Sequence, residues 1–244
     1  MSSRPDGRTP AEVRPYSFTP DFARNATGSV LATCGRTQVI CAAMIQEEVP
    51  RWMKVQGVTG GWITAEYSML PYSTLDRKPR DISKGRLDGR SVEIQRLIGR
   101  SMRAIVDLEK LGSRTLMIDC DVLRADGGTR TTAITGAYVA VARAIRRLQA
   151  EGTLSEKINP IKTQVAAVSV GVVAGEILVD LDYEEDRTAA VDANVVMTSE
   201  GKFVEVQAAG EESVFSQEEL QGMLAGARGA LDKLFELQRE AVLY

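Results

Sequence analysis

Histidine is absent from this sequence of 244 residues. That absence excludes Ser-His-Asp and Cys-His nucleophile systems, zinc sites built on histidine, and imidazole acid–base pairs. Any catalysis must therefore use carboxylates, a metal ion on oxygen ligands, the charges of lysine and arginine, or a nucleophile that the substrate supplies.

Cysteine and long apolar segments are also scarce. The three cysteines, Cys34, Cys41 and Cys120, show no Cys-x-x-Cys spacing, and each lies in an apolar, strand-like run. We therefore expect buried thiols in a reducing compartment, the cytoplasm. No apolar run approaches the ~20 residues of a membrane-spanning helix, and the first residues carry charge and proline rather than an apolar signal segment. With 44% hydrophobic and 26% charged residues, the composition is typical of a globular protein.

Charge is unevenly distributed, although the net charge is only −3. Residues 77–103 hold nine lysines and arginines against three acids, a local charge of +6, and residues 176–192 hold seven acids against one arginine, a local charge of −6. The basic block suggests a polyanionic partner and the acidic block a cation. Taken alone, each block also fits a solvated surface, which is the simpler interpretation.

Hydrophobic periodicity in the first half predicts strands alternating with helices. The pattern predicts a hairpin over residues 28–45, a strand over 61–70, a helix from Gly89, a strand over 114–123 and a helix from about Thr129. Residues 72–88 form a polar, basic loop.

The second half repeats this order. Two strands are predicted within residues 162–183 and a further strand over 201–209, and the capping box Ser216-Gln217-Glu218-Glu219 opens a long helix. We therefore expect an α+β fold in which duplicated halves, about 10–150 and 160–244, form two sheets with paired helices. Because no linker separates the halves, residues 1–244 should form one compact domain.

The segment Gly127-Gly128-Thr129-Arg130 is the first candidate site. It joins a predicted strand to a predicted helix, where glycines let backbone N–H groups approach a ligand and the helix start favours an anion. Thr129 supplies a hydroxyl, and Arg130 supplies a planar fork suited to an oxyanion. The segment is neither a Walker loop nor a dinucleotide-binding loop. On its own it fits a helix cap and an anion site equally well.

Arg90 lies at the start of a second predicted helix, in Asp88-Gly89-Arg90-Ser91. If the two helices pack side by side, Arg90 and Arg130 can hold one phosphate between them. Arg90 alone fits a surface residue beside a helix cap equally well.

Two acids of the second half are candidate metal ligands. Asp180, on a predicted strand, and Asp186, just past its end, can converge on one divalent cation, although a lone acidic turn is more often a solvated loop. Combined with the loop at 127–130, the basic block and the absence of histidine, this pair indicates phosphoryl transfer, in which positioning and charge neutralisation supply most of the rate.

Long sequence blocks resemble the ribonuclease PH family and follow its order along nearly the whole chain. These blocks are "RPDGR", "GWITAEYSMLP", "GRSVEIQRLIGRSMRA", "DCDVLRADGGTRTTAITGAY" and "DLDYEEDRTAAVDANVVMT". The length suits the stand-alone bacterial enzyme better than polynucleotide phosphorylase, which carries two such cores.

The resemblance implies a phosphate-dependent 3′→5′ exoribonuclease that trims tRNA precursors, and other structured RNA such as rRNA. It would release nucleoside diphosphates in a reversible nucleotidyl transfer, with inorganic phosphate as co-substrate and Mg²⁺ or Mn²⁺ as cofactor, and would assemble as a hexameric trimer of dimers. The family's phosphate positions fall on Arg90, Gly128, Thr129 and Arg130, and its acid pair falls on Asp180 and Asp186, as metal ligands and proton-handling groups. The basic residues expected to contact the RNA backbone are Arg77, Arg80 and Lys84.

Two positions depart from the family pattern. Tyr72 stands where the family commonly has an arginine that contacts tRNA, and Ala208-Ala209 replaces a Gly-Thr pair. Two other activities remain in competition with phosphorolysis. One is a non-catalytic, RNA-binding ring subunit of an exosome-like assembly, and the other is a hydrolytic nuclease that releases monophosphates.

Overall fold

Nine strands and six helices make up the described part of a computed structural model, which covers residues 4–211 and 213–243 without the side chains of residues 82 and 84. The strands are β1 (Tyr16–Pro20), β2 (Gly28–Cys34), β3 (Thr37–Gln46), β4 (Trp62–Met69), β5 (Thr115–Arg124), β6 (Val165–Val173), β7 (Glu176–Val179), β8 (Val191–Thr198) and β9 (Phe203–Gly210). The helices are α1 (Arg51–Gln56), α2 (Gly89–Ile105), α3 (Leu108–Leu111), α4 (Thr129–Ala150), α5 (Tyr183–Thr188) and α6 (Gln217–Leu243), with a short 3₁₀ helix at Asp81–Lys84.

The first half is a five-stranded sheet in the order β1-β2-β3-β5-β4. Neighbouring strands are antiparallel except β4 and β5, which are parallel and pair Glu66 with Asp119. A parallel pair needs a crossover connection, and the basic loop and α2 supply it. The predicted hairpin, strands and helices of this half are confirmed, with a turn at Gly35-Arg36 between β2 and β3.

The second half is a four-stranded antiparallel sheet in the order β7-β6-β8-β9, and α6 packs against it. The predicted capping box opens α6: the Ser216 hydroxyl accepts from the Glu219 N–H at 3.1 Å, and the Glu219 carboxylate accepts from the Ser216 N–H at 2.7 Å. The predicted α+β class with two sheets is confirmed.

Helix α4 joins the halves. Its small and apolar side chains are buried on nearly every face, because the helix packs against β2 and β3 of the first sheet and β6 of the second. One hydrophobic core therefore crosses the boundary, and Val165, Ala167 and Val196 pack with residues of the first half. In the described residues, none of the helices has the length and apolar character needed to cross a lipid bilayer.

Three features differ from the prediction. Strands β1 and β8 were not predicted from the pattern, and Asp180 is not on a strand. Strand β7 ends at Val179, and Asp180 takes a left-handed backbone conformation with φ 56°. The strand ends here because a capping box of Asp182 and Glu185, just after Asp180, begins α5 and turns the backbone out of the sheet.

Candidate active site

The loop between β5 and α4 presents a helix start without a side-chain cap. Gly127 and Gly128 both have positive φ, 72° and 64°, so glycine suits these positions. Gly128 is the N-cap residue of α4, and no described side chain caps the helix. The helix therefore directs its first-turn N–H groups and the positive end of its dipole toward this loop, which is suited to an anion.

Arg130 is held in place at this helix start. Its guanidinium donates to the carboxylate of Glu93 on α2 at 3.1 Å and to the amide oxygen of Gln207 on β9 at 2.8 Å. Gln207 in turn donates to Glu93 at 3.1 Å. The side chain of Arg130 is 13% exposed, so it can still meet a ligand from solvent.

Arg90 and Thr129 lie close to Arg130. The buried Tyr67 hydroxyl donates to Thr129 Oγ1 at 2.9 Å. Burial raises the pKa of Tyr67, while the Thr129 bond and the charges of Arg90 and Arg130 act to lower it. The bond from Arg130 to Glu93 places the first turns of α2 and α4 side by side. Phosphate binding between them stays a prediction.

Asp186 faces the same two arginines. Its side chain is exposed, yet nearby protein removes part of its hydration and raises its pKa. The charge of Asp192 on β8 raises the pKa further, while Arg90 and Arg130 act to lower it. Asp192 was missed because β8 was not predicted, although alternation along residues 191–198 could have placed it on a strand.

Asp180 is buried and bonded to Arg14. Its Oδ2 accepts from the backbone N–H and Nε of Arg14 at 2.7 and 2.9 Å, and its Oδ1 accepts from Nη2 at 2.6 Å. Burial raises the pKa of Asp180, but the hydrogen bonds and charge of Arg14 outweigh burial and lower it. That Asp180 and Asp186 share a metal ion stays a prediction. The acids whose charges raise the pKa of Asp186 are Asp192 and, to a smaller extent, Glu211.

Sequence reasoning assigned no role to the arginines of the N-terminal segment. Arg4, Arg8 and Arg14 are all buried against the turn that precedes α5. Arg4 donates to both carboxylate oxygens of Glu185, at 2.7 and 2.5 Å, and also to the carbonyl oxygen of Asp180 at 2.8 Å. The only signal in the sequence is three arginines within eleven residues, 4–14, which does not reveal burial.

The predicted RNA contacts lie in the basic loop between β4 and α2. Arg77 and Arg80 are exposed and form no ion pair within the described residues, while the side chain of Lys84 lies outside them. Arg80 lines a cleft of about 340 Å³ that also contains Glu66 and Asp121.

The two departures from the family pattern also have defined places. Tyr72 is 68% exposed in the basic loop. Ala209 on β9 pairs directly with Asp192 on β8, so the hydroxyl that the family pattern would supply is missing beside this acid.

Any metal site formed by the described residues would have at most two acidic or cysteine ligands from the protein. Among the described residues, no group of three or more acidic or cysteine side chains is placed to hold a metal ion. One or two carboxylates that share a cation with substrate phosphate oxygens are the usual protein contribution to a Mg²⁺ site. Asp186, whose pKa is raised by the charge of Asp192, is a candidate carboxylate for such a site.

Comparison with known proteins agrees with this geometry. Residues 12–146 match the model of the 3′ exoribonuclease family, domain 1, and residues 163–230 match that of domain 2. The chain is 54% identical to ribonuclease PH of Mycobacterium tuberculosis over 242 residues, 99% of this chain and 92% of the relative. It is 53% identical to ribonuclease PH of Bacillus subtilis over 240 residues, 98% and 96% of the two chains.

Solved structures share the fold. Rice Rrp46 superposes with a TM-score of 0.79 at 21% identity and covers 99% of this chain and 100% of its own. The Archaeoglobus fulgidus exosome with RNA bound to its active site superposes with a TM-score of 0.79 at 24% identity, over 96% and 92% of the two chains.

The α+β fold and the family models that match both halves of the chain define the class, a 3′ exoribonuclease. The sequence comparisons make this specific. The chain belongs to the ribonuclease PH family and is a phosphorolytic 3′→5′ exoribonuclease.

Proposed function

We propose that this enzyme trims the 3′ ends of tRNA precursors, with inorganic phosphate bound by Arg90, Gly128, Thr129 and Arg130. A phosphate oxygen attacks the terminal phosphodiester, the bond from phosphorus to the 3′ oxygen breaks, and a nucleoside diphosphate leaves. The proton of the attacking phosphate ends on the freed 3′ hydroxyl of the shortened RNA. Structured RNA such as rRNA is a second expected substrate.

The phosphate ion needs alignment more than activation, which suits a chain without histidine. Phosphate is already an anion at neutral pH, so a general base is not required to make it a nucleophile. Arg90 and Arg130 neutralise it, and the first-turn N–H groups of α4 fix its orientation. The observation that carries the proposal is the uncapped start of α4 at Gly128, beside Arg130, whose guanidinium is bonded to Glu93 in the first turns of α2.

A divalent cation, Mg²⁺ or Mn²⁺, would be held by Asp186 together with Asp192. Bound there, it would offset negative charge on the scissile phosphate and the departing oxygen. Asp186 also lies near enough to the phosphate arginines to hold or release the proton that moves to the 3′ oxygen. Asp180 would contribute through its contact with Arg14.

RNA binding and assembly are further parts of the proposal, supported by the family resemblance. We expect Arg77, Arg80 and Lys84 to contact the RNA backbone and the chain to form a homo-oligomer, a hexameric ring of three dimers. The archaeal neighbour is an exosome that holds RNA in its active site. Cys34, Cys41 and Cys120 are buried free thiols, which suits the reducing cytoplasm.

The test uses a tRNA with a short 3′ extension and Mg²⁺, with and without inorganic phosphate. Nucleoside diphosphates that form only with phosphate support the proposal. Monophosphates formed without phosphate would instead indicate hydrolysis, and binding without trimming would indicate a non-catalytic ring subunit.

Arg130→Ala should abolish phosphate-dependent trimming and leave tRNA binding largely unchanged, because Arg130 neutralises the phosphate rather than the RNA. Arg147→Ala on the same helix is the matched control, since Arg147 is exposed and pairs with Glu151. Trimming by Arg130→Ala at a rate near that of the wild type would show that the loop at 127–130 does not bind the nucleophile.

A further inference from the structure

The phosphate loop of the first half lies directly against the acidic turn of the second half. A Cβ atom added to Gly127 would lie 2.5 Å from the carbonyl oxygen of Leu181 and 2.9 Å from the Cα of Asp182. The two loops therefore touch backbone to backbone. Their relative position sets the distance between a phosphate at Arg130 and the carboxylate of Asp186, which lies in α5 just beyond the turn.

One buried side chain, Arg14, bridges the two loops. Its Nη1 donates to the carbonyl oxygen of Asp126, immediately before Gly127. Its Nη2 donates to the carbonyl oxygen of Leu181 at 3.2 Å and to the carboxylate of Asp180 at 2.6 Å. The Arg14 side chain is 4% exposed, so these bonds form out of water.

Hydrogen bonds hold both the carboxylate and the backbone of Asp180 in place beside Arg14. Its carboxylate accepts three bonds from Arg14, and its backbone N–H donates to the carbonyl oxygen of Ser169 at 2.7 Å. Arg8 Nη1 donates to the carbonyl oxygen of Asp180 at 3.0 Å, beside the bond from Arg4. The N-terminal segment thus holds a residue whose left-handed backbone costs about 1 kcal/mol or more outside glycine.

We propose that Arg14 is a positioning residue for phosphorolysis, which fixes the phosphate loop against the acidic turn, and that Asp180 is its anchor rather than a cation ligand. The proposal rests on the proposed function of the loop at 127–130. Arginine is required because its planar fork reaches the Asp126 carbonyl and the Asp180–Leu181 turn at once, whereas lysine offers one compact ammonium group.

The first test compares Arg14→Lys with the wild type. The KM for inorganic phosphate should rise about tenfold or more and kcat should fall, because the phosphate arginines no longer sit at a fixed distance from Asp186; a tenfold change corresponds to about 1.4 kcal/mol of binding free energy. The Mg²⁺ concentration for half-maximal rate and the Kd for tRNA should stay unchanged. Arg36→Lys is the matched control, since exposed Arg36 binds the carboxylate of Asp126 at 2.9 Å without bridging to the acidic turn.

Asp180→Asn separates the two roles of Asp180. If Asp180 anchors Arg14, the variant should have a higher KM for phosphate and an unchanged Mg²⁺ requirement. If Asp180 binds the cation, the variant should need more Mg²⁺ and have an unchanged KM for phosphate. Wild-type phosphate kinetics in a folded Arg14→Lys enzyme, or a raised Mg²⁺ requirement alone in Asp180→Asn, would overturn the proposal.

A measurement on the unaltered enzyme covers the case in which neither variant folds. Hydrogen exchange with and without inorganic phosphate should show protection at residues 127–131 and also at residues 12–15 and 180–182, since Arg14 couples them. Protection confined to 127–131 would refute the coupling but leave the proposed function intact. A wild-type enzyme that trims without phosphate would instead refute the proposed function.

Discussion

At the scale of single residues, we expect the carboxylate of Glu93 to compete with phosphate for Arg130. Glu93 accepts from Arg130 at 3.1 Å and is 45% exposed, so it acts as a built-in competitor for the anion. The pair also keeps the guanidinium oriented through Gln207. If phosphate binds as proposed, its affinity reflects the attraction of Arg130 for phosphate minus its attraction for Glu93.

Replacing Glu93 with glutamine should tighten phosphate binding. The amide oxygen can still accept from Arg130, but the competing charge is gone. A partly exposed ion pair contributes about 0.2–1 kcal/mol, so the KM for phosphate should fall by up to about fivefold. Glu205→Gln is the control, because Glu205 pairs with Arg100 further along α2. An unchanged or higher KM in Glu93→Gln would show that Glu93 serves to orient Arg130 and does not compete with phosphate.

At the scale of elements, local pattern predicted most of the fold. The hairpins, α2, α4 and α6 follow from apolar periodicity, a Gly turn and a capping box, which are local signals. Asp180 was placed wrongly on a strand because the prediction overlooked the capping box of α5 just after it, and because the bonds from Arg8 and Arg14 that hold its left-handed backbone come from distant residues. The starts of α2 and α4 were predicted correctly, because the residues that indicate each start lie within four positions of one another.

Contact between the two loops makes Gly127 more sensitive than other glycines with positive φ. Gly127→Ala would add both left-handed strain, about 1–2 kcal/mol, and a Cβ 2.5 Å from a backbone oxygen that cannot move freely. Gly175→Ala has the same kind of strain, with φ 81°, but open space around its Cβ. Calorimetry should show a larger loss of stability for Gly127→Ala, and only this variant should raise the KM for phosphate. Equal effects of the two substitutions would mean that backbone strain alone matters.

At the scale of the whole molecule, the site lies at the seam between two halves that share one core. Arginines at positions 4–14 bind acids at 180–185, and Arg130 of the first half approaches Asp186 of the second. Such pairings join residues more than fifty positions apart, and a single sequence contains no local signal for them. Asp192 was missed for a different reason, because β8 was not predicted, and the loop at 127–130 taken alone fitted a helix cap as well as an anion site.

Arg77 and Arg80 are the proposed RNA contacts of the whole molecule, and both are exposed in the basic loop. If each neutralises one RNA phosphate, the double variant Arg77→Gln/Arg80→Gln should bind tRNA more weakly. The slope of log K against log salt should become shallower by about one for each RNA phosphate that is no longer neutralised. The KM for inorganic phosphate should stay near that of the wild type, since neither residue contacts that ion, and Arg100→Gln/Arg228→Gln supplies a control with the same change in net charge. A steep, unchanged salt slope would place the RNA on another surface, and a raised KM for phosphate would mean that the basic loop reaches the phosphate site as well.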